Sequence, residues 1–338
     1  MRIWFDVITP KQARLMSSIA KRLGREYVIT VKGYSESVDI LRELNVNFIQ
    51  IGDYSIGDLK KKLISYAERV KLLSEFVLDY KPDFLISFSS PEAVRVAYGL
   101  SIRSITMNDS PHSYHVGRLT LPLSWKVVYP AAIPEDDMIR LGASRESLVP
   151  YRGVDEVAWV KDRLYDLRNS KREFKVFIRP EESGASYMLG KEGFTMKLVD
   201  EVIRVGADVI IKPRYESQSI MIREKYGKKV TILDSTVDTL DLFGRIVLVV
   251  TGGGTMAREA ALLGTPSLCA FPLDVKLHVN DFLRDMGFPI WRASSLKEAI
   301  SIIRMILRDP DSYVVDTRPL MEELEDPRVV IEKILNDN

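Results

Sequence analysis

The chain has 338 residues, 46% hydrophobic and 28% charged, which suffices for two ordinary domains with cores of their own. Forty-eight basic residues against 47 acidic leave a net charge of +1, which excludes the electrostatic footprint of a nucleic-acid binder. A single cysteine, Cys269, excludes an internal disulfide and a cysteine-based zinc site, and no apolar run approaches the ~18 residues that span a bilayer.

The opening MRIWFDVI reads as a strand rather than a signal peptide, so a cytoplasmic protein is expected. Only three glutamines (Gln12, Gln50, Gln218) accompany abundant Lys, Arg and Glu, a thermophile pattern. Strand patterns at 2–8, 27–31, 47–51, 83–88, 102–107 and 125–129 alternate with helical periodicity at 11–23, 38–44, 56–79, 91–98 and 135–141. Alternation of this kind predicts parallel βαβ units in a doubly wound sheet. Residues 150–170 carry a charged link. A second series follows, with strands at 174–178, 208–212, 230–233, 246–250 and 267–271. Its helices are expected near 191–204, 217–226 and 255–263, and three helical patterns close the chain from residue 275 onward.

Ligands of open parallel sheets sit at the carboxyl ends of the strands, so the residues just after each strand are the informative ones. In the first half these are Thr9-Pro10-Lys11-Gln12, Ser89-Ser90 and Asn108-Asp109. Asp109 is a candidate general base, or else a turn residue with an Asx-type bond. Asp6, at its strand end, is a second acid–base candidate, or else a helix cap. His112 and His115 are spaced i, i+3 with no third ligand, so no metal site is expected. In the second half the strand ends carry Arg179-Pro180-Glu181-Glu182, Lys212-Pro213-Arg214, Asp234-Ser235-Thr236 and a triple glycine. Arg179, Lys212 and Arg214 thus fall on the same edge as the glycines, a pattern suited to a diphosphate.

The organising stretch is RIVLVVTGGGTMAREAALLGTPSLCAFP, residues 245–272. A buried strand, a turn over Gly252, Gly253 and Gly254 with positive φ available, and Thr255 as N-cap present free N–H groups to one point. Glu259 shares a helix face with Thr255 and suits a ribose diol. The bland alternatives are a tight βα turn and a solvated Glu259. Gly252, Gly254 and Ala257 also fit G-x-G-x-x-A with Asp274 downstream, which keeps an NAD-dependent oxidoreductase as an alternative. No Lys of the P-loop type follows the glycines.

On IWFDVITPKQARL, KPDFLISFSSPEA, NDSPHSYHVGRLTLPLSWKVVYP, VFIRPEESGASY, IIKPR and TGGGTMAREAALLGTP, the chain resembles a mainly archaeal family of unknown function within the GT-B superfamily. That family is related to UDP-N-acetylglucosamine 2-epimerase. The resemblance implies two Rossmann-like domains facing across a cleft, at 1–155 and 156–318, with residues 319–338 packing back on the first. It also implies that Gly253, Gly254 and Thr255 hold a donor diphosphate and Glu259 the ribose. The chain departs from the epimerases at Ile178-Arg179-Pro180-Glu181-Glu182, at Phe88-Ser89-Ser90 and at Asn108-Asp109-Ser110, so their catalytic acids do not carry over. Ser267 stands where many retaining glycosyltransferases have a second Glu.

The expectation is therefore a UDP-sugar-dependent glycosyltransferase or epimerase-like enzyme with no obligatory metal or cofactor. Its partners would be a nucleotide sugar, an unknown acceptor and possible homodimer formation, and a non-catalytic nucleotide-sugar binder is the alternative.

Overall fold

The computed structural model describes residues 1–54, 58–164, 172–180, 194–234, 238–270 and 276–337. The chain divides into two compact units, Met1–Trp159 with Leu324–Asn338, and Val160–Glu323. The first crossing falls four residues past the 155/156 boundary read from the sequence, and the second falls at 323/324 rather than 318/319.

Unit 1 begins β1 (Ile3–Val7), α1 (Pro10–Leu23), β2 (Tyr27–Gly33), α2 (Ser35–Glu43), β3 (Ile49–Asp53) and α3 (Leu59–Tyr80). It continues β4 (Phe84–Ser87), α4 (Pro91–Gly99), β5 (Arg103–Met107), α5 (Tyr114–Thr120), β6 (Lys126–Pro130), α6 (Glu135–Arg140), β7 (Leu148–Tyr151) and α7 (Val157–Val160). The sheet is parallel throughout, in the order β3-β2-β1-β4-β5-β6-β7.

Central β1 is buried along its whole length, so Ile3, Trp4, Phe5 and Val7 each contribute roughly 1.5–3 kcal/mol of burial. Trp4 also donates its indole N–H to Thr30 Oγ1 at 2.8 Å, so its one polar atom is satisfied inside the core. Helix α1 starts at Pro10, ends at left-handed Gly24, and buries Ala13, Leu15, Met16, Ile19 and Ala20 against the sheet. Right-handed crossovers put α1 and α2 on one face of the sheet and α3, α4 and α5 on the other, and the helices pack with one another in those two sets.

Strand β7 was not expected. Its Leu-Val-Pro-Tyr sequence contains Pro150, which a parallel sheet tolerates only at an edge, and β7 is the edge.

Unit 2 contains β8 (Glu173–Arg179), α8 (Phe194–Val205), β9 (Asp208–Ile211), α9 (Glu216–Tyr226), β10 (Val230–Ile232), α10 (Thr239–Gly244) and β11 (Ile246–Thr251). It ends with α11 (Gly254–Leu262), β12 (Ser267–Ala270), α12 (His278–Asp285), β13 (Ile290–Ala293), α13 (Leu296–Arg308) and α14 (Arg318–Glu322). Its parallel sheet runs β10-β9-β8-β11-β12-β13, again the order 3-2-1-4-5-6 of doubly wound folds. Val176, Ile178, Val209, Ile211, Leu248, Val250 and Leu268 from the sheet meet Leu198, Val199, Val202, Ile303 and Ile306 from the helices in one core.

The helix α15 (Pro327–Asn336) packs on α1 in unit 1. Within unit 1, the Glu325 N–H donates to the Arg152 carbonyl at 2.8 Å, tying the returning segment to the end of β7. Besides β7, four short elements escaped the sequence reading: helices α5 and α7, edge strand β13, and helix α10, where the Leu240 and Asp241 N–H groups donate to the Asp238 side chain.

Candidate functional site

In both sheets the strand order reverses at the pair formed by the first and fourth strands, β1/β4 and β8/β11. Ligand crevices of such sheets open at this switch point. In unit 1, Gln12 staples it. The Ile8 N–H donates to Gln12 Oε1 at 2.6 Å, and Gln12 Nε2 donates to the Phe88 carbonyl at 3.0 Å. Ser89, just after β4, holds φ 46°, a left-handed conformation uncommon outside glycine. Its hydroxyl donates to the Met107 carbonyl and accepts from Asn108 Nδ2 at 2.9 Å, so the strand ends of β4 and β5 hold the strained residue.

Asp6 lies fully buried among four donors. Arg69 Nη1 and Nη2 grip it at 3.1 and 2.6 Å, and Thr30 Oγ1 and Ser90 Oγ each donate at 2.6 Å. Burial works against the Arg69 charge, but Asp6, with Glu92 further off, more than offsets it and holds the guanidinium above its ordinary value. A carboxylate so enclosed has no face left for a substrate proton. Asp6 is a scaffold ion pair, neither cap nor base.

Asp109 sits in a different cluster. Lys11 Nζ reaches Asp109 Oδ2 at 2.5 Å, Asp155 Oδ2 at 2.7 Å and Glu156 Oε1 at 3.8 Å, and it lies 4.3 Å over the Phe88 ring. The Asp109 side chain is 5% exposed, and Ser110 Oγ donates to its other oxygen at 2.7 Å. Tyr151 OH donates to Asp155 Oδ1 at 2.7 Å. Three carboxylates therefore share one ammonium out of water. Burial pushes the Asp155 carboxyl up, Lys11 pulls it part of the way back, and Asp109 and Glu156 push with the burial. Burial, with Asp155 behind it, drives the Tyr151 phenol well above its ordinary value.

In unit 2 the glycine turn follows β11. None of Gly252, Gly253 and Gly254 has positive φ, contrary to expectation; Gly253 is extended, with φ −160° and ψ 170°. The N-cap of α11 is Gly253, not Thr255, which lies inside the helix. The turn is made instead by Thr251, whose hydroxyl donates to the Gly253 carbonyl, and by the Gly252 N–H, which donates to the Arg179 carbonyl at 3.1 Å.

The glycines are needed for unlike reasons. A methyl on Gly254 would meet Arg258 Nη1 at 2.5 Å and Asn280 Oδ1 at 3.4 Å, so protein fills that space from within. On Gly253, among the described residues, it would find only Arg214 Nη2, at 3.9 Å. A glycine N-cap has no side chain to satisfy the first N–H groups of α11, and the helix dipole adds partial positive charge at that end.

The strand-end cations brace this turn. Arg179, 4% exposed, donates to the carbonyls of Lys212 and Pro213 at 3.2 and 2.8 Å. Arg214 Nε returns a bond to the Pro180 carbonyl at 2.9 Å, while its Nη2 lies by Gly253. Lys212 is buried, and its N–H donates to the Ile178 carbonyl. Glu259 is 2% exposed, so it is no solvated surface residue. Burial pushes the Cys269 thiol up to about 11, which makes it inert at neutral pH. Glu181, Glu182, Ser235, Thr236 and Asp274 lie outside the described residues.

The structure thus brings Arg179, Arg214 and the glycines to one edge and Asp109 to another, and it withdraws Asp6 into the core. Lys11, Tyr151, Asp155 and Glu156 had no assigned role in the sequence. Tyr151 ends β7 and Asp155 and Glu156 follow it, and a missed strand hides the residues at its carboxyl end. Among the described residues, no group of three His, Cys, Asp or Glu is placed to hold a metal, and no helix is long and apolar enough to cross a membrane.

The chain is 28% identical to Uncharacterized protein MJ0665 of Methanocaldococcus jannaschii, over 99% of this chain and 98% of that one. Among solved structures it is similar to UDP-GlcNAc 2-epimerase from Neisseria meningitidis, solved bound to UDP-GlcNAc. That match has a TM-score of 0.75 at 14% identity and covers 100% of both chains. It is similar also to the spinosyn forosaminyltransferase SpnP, with a TM-score of 0.64 at 14% identity over 99% and 98% of the chains. At such identities the likeness is one of fold, and that fold is GT-B-like. A family model matches residues 1–337 end to end, and the chain belongs to that family, DUF354, described as a protein of unknown function.

Proposed function

We propose that this chain is a nucleotide-diphospho-sugar enzyme, using a UDP-sugar as a glycosyltransferase or an epimerase-like sugar-modifying relative. The observation that carries the reading is the uncapped N-terminus of α11 at Gly253, open to a ligand and flanked by the Arg214 guanidinium. In this reading the N–H groups of Gly254 and Thr255 hold the diphosphate, that of Gly253 turns to it from its long 3.4 Å bond to Thr251 Oγ1, and Arg214 lies beside them. Arg179 and Lys212 frame the turn through the Lys212 and Pro213 carbonyls. Glu259 takes the ribose diol. Charge developing on a departing nucleoside diphosphate is stabilised by the same helix end and Arg214. The fold shared with a UDP-GlcNAc-bound epimerase supports the choice of ligand class.

Asp109 is the proposed base, taking the proton of an acceptor hydroxyl. Lys11 holds it in place beforehand. Once Asp109 is protonated, Asp155 remains as the counter-ion of the ammonium. An NAD-dependent oxidoreductase fits less well. A dinucleotide fingerprint follows the first strand of its domain, and here the glycines follow β11, the fourth.

The test is a thermal-stabilisation screen of UDP, UDP-sugars and NAD, followed by turnover with the sugars that bind. Asp109→Asn is expected to abolish turnover while leaving nucleotide affinity within about threefold, that is ~0.65 kcal/mol. Binding without turnover in wild type would favour a non-catalytic nucleotide-sugar binder.

A further inference from the structure

The start of α11 carries a second arginine, one that had no assigned role in the sequence. Side chains of a helix lean toward its N-terminus, so Arg258, one turn in, folds back along its own helix to Gly254. Its Nη1 lies 2.5 Å, and its central guanidinium carbon 3.4 Å, from where a methyl on Gly254 would stand. The guanidinium thus occupies the space beside the glycine, and Arg258 is only 6% exposed.

Asn280 holds it there. This residue lies in the first turn of α12, is 3% exposed, and accepts from Arg258 Nη1 at 3.0 Å through Oδ1. The same oxygen is 3.4 Å from the methyl position on Gly254, so the amide too lies against the start of α11. Its other branch, Nδ2, is buried there with no hydrogen-bond partner among the described residues. A buried donor without an acceptor is costly to folding, which marks the amide as kept for something other than packing. Strand register sets Thr251 of β11 opposite Cys269 of β12, and Cys269 opposite Arg292 of β13. Arg258 and Arg292 both pull the Cys269 thiol down against its burial, so two guanidiniums lie close to the end of β12.

The macrodipole is positive at the start of α11, no acidic residue lies in the first turn, and the cap is a glycine. A guanidinium held at that end raises the positive potential further, which favours an anion. The Asn280 amide is neutral, so its bond orients the guanidinium without cancelling the charge. We propose that Arg258, fixed by Asn280, is a positioning residue that tunes the start of α11 to the diphosphate of a nucleotide-diphospho-sugar. Its charge acts on the phosphates through the Gly254 backbone against which it packs. This role rests on the reading of that helix end as a diphosphate site.

Calorimetric titration of UDP into wild type, Asn280→Asp and Arg258→Gln tests it, with phosphate-free uridine followed by saturation-transfer NMR. Asn280→Asp keeps the shape of the amide and an acceptor for Arg258, but it sets a carboxylate against the guanidinium. It should melt within a few degrees of wild type, yet bind UDP about tenfold more weakly or worse. Arg258→Gln removes the charge directly and should lose UDP affinity to a similar extent. Uridine, which carries no phosphate, should bind all three proteins within about threefold. If both variants bind UDP within about threefold of wild type, the role is overturned and the diphosphate site stands. Equal losses for UDP and uridine would overturn it as well, since the site would then be distorted rather than discharged. A wild type that binds no UDP would overturn the diphosphate reading itself, and this role with it.

Discussion

At the edge where β1 meets β4, charged side chains answer one another: Asp6 to Arg69, and Asp109 and Asp155 to Lys11. At the edge where β8 meets β11, Arg179 and Arg214 give their hydrogen bonds to backbone carbonyls, and a helix end is left without a cap. The strand order around both switch points is the same. The difference teaches that one topology is held at its switch point in two ways, by a network of paired side chains or by a frame of arginine–carbonyl bonds beside a helix end.

The comparison breaks first at Asp6. Asp6→Ala leaves the fully buried Arg69 with Glu92, 3.9 Å away, as its remaining counter-charge and without its hydrogen-bonded carboxylate, a loss of roughly 3 kcal/mol in urea unfolding. A second change, Arg69→Met, recovers most of it because no unpaired charge remains. If Asp6→Ala unfolds like wild type, the buried pair is not what holds these strands.

On the unit 2 side, Glu259→Ala would remove the charge-assisted bonds proposed for the ribose. UDP affinity is expected to fall ~10- to 100-fold, or about 1.4–2.7 kcal/mol. Unchanged affinity by titration would make Glu259 a structural residue of α11.

The smallest effect is a pH slope in unit 1. Asp155 has its folded pKa raised, chiefly by burial, so between its ordinary value and the raised one the folded state holds more protons than the unfolded state. Stability therefore falls as pH rises through that window and is level above it. The slope is at most about 1.4 kcal/mol per pH unit for one proton. Asp155→Asn keeps an acceptor for Tyr151 and should flatten the fall in chemical denaturation at several pH values. An unaltered slope would place the proton elsewhere in the cluster.

Much of this was legible in the sequence because parallel sheets bury continuous apolar runs. IWFDV and IVLVVT read as buried strands, and they are the central strands β1 and β11. What escaped has physical reasons. Pro150 disguised edge strand β7, and with it Tyr151, Asp155 and Glu156. Asp6 looked reactive because a strand-end aspartate carries no mark of the Arg69 that meets it from 63 residues away. The triple glycine suggested positive φ, but it serves an extended N-cap at Gly253 and, at Gly254, a backbone packed against Arg258. Periodicity reports burial; it does not report which charge finds which.

The central claim is that Gly253 and the end of α11 receive a nucleoside diphosphate, and calorimetric titration of UDP into wild type and Gly253→Val tests it most directly. Gly253 has an extended backbone that any residue adopts and, among the described residues, only Arg214 Nη2 at 3.9 Å beside it, so Gly253→Val should melt within a few degrees of wild type. Its side chain would project where the phosphates approach. Wild type should bind UDP, gaining about 2.7 kcal/mol of stability at ~100 times the dissociation constant, and should ignore NAD. Gly253→Val should lose UDP binding by ~100-fold or more while keeping its fold. Equal UDP affinity in both proteins, or a wild type that binds NAD and no nucleoside diphosphate, would contradict the account.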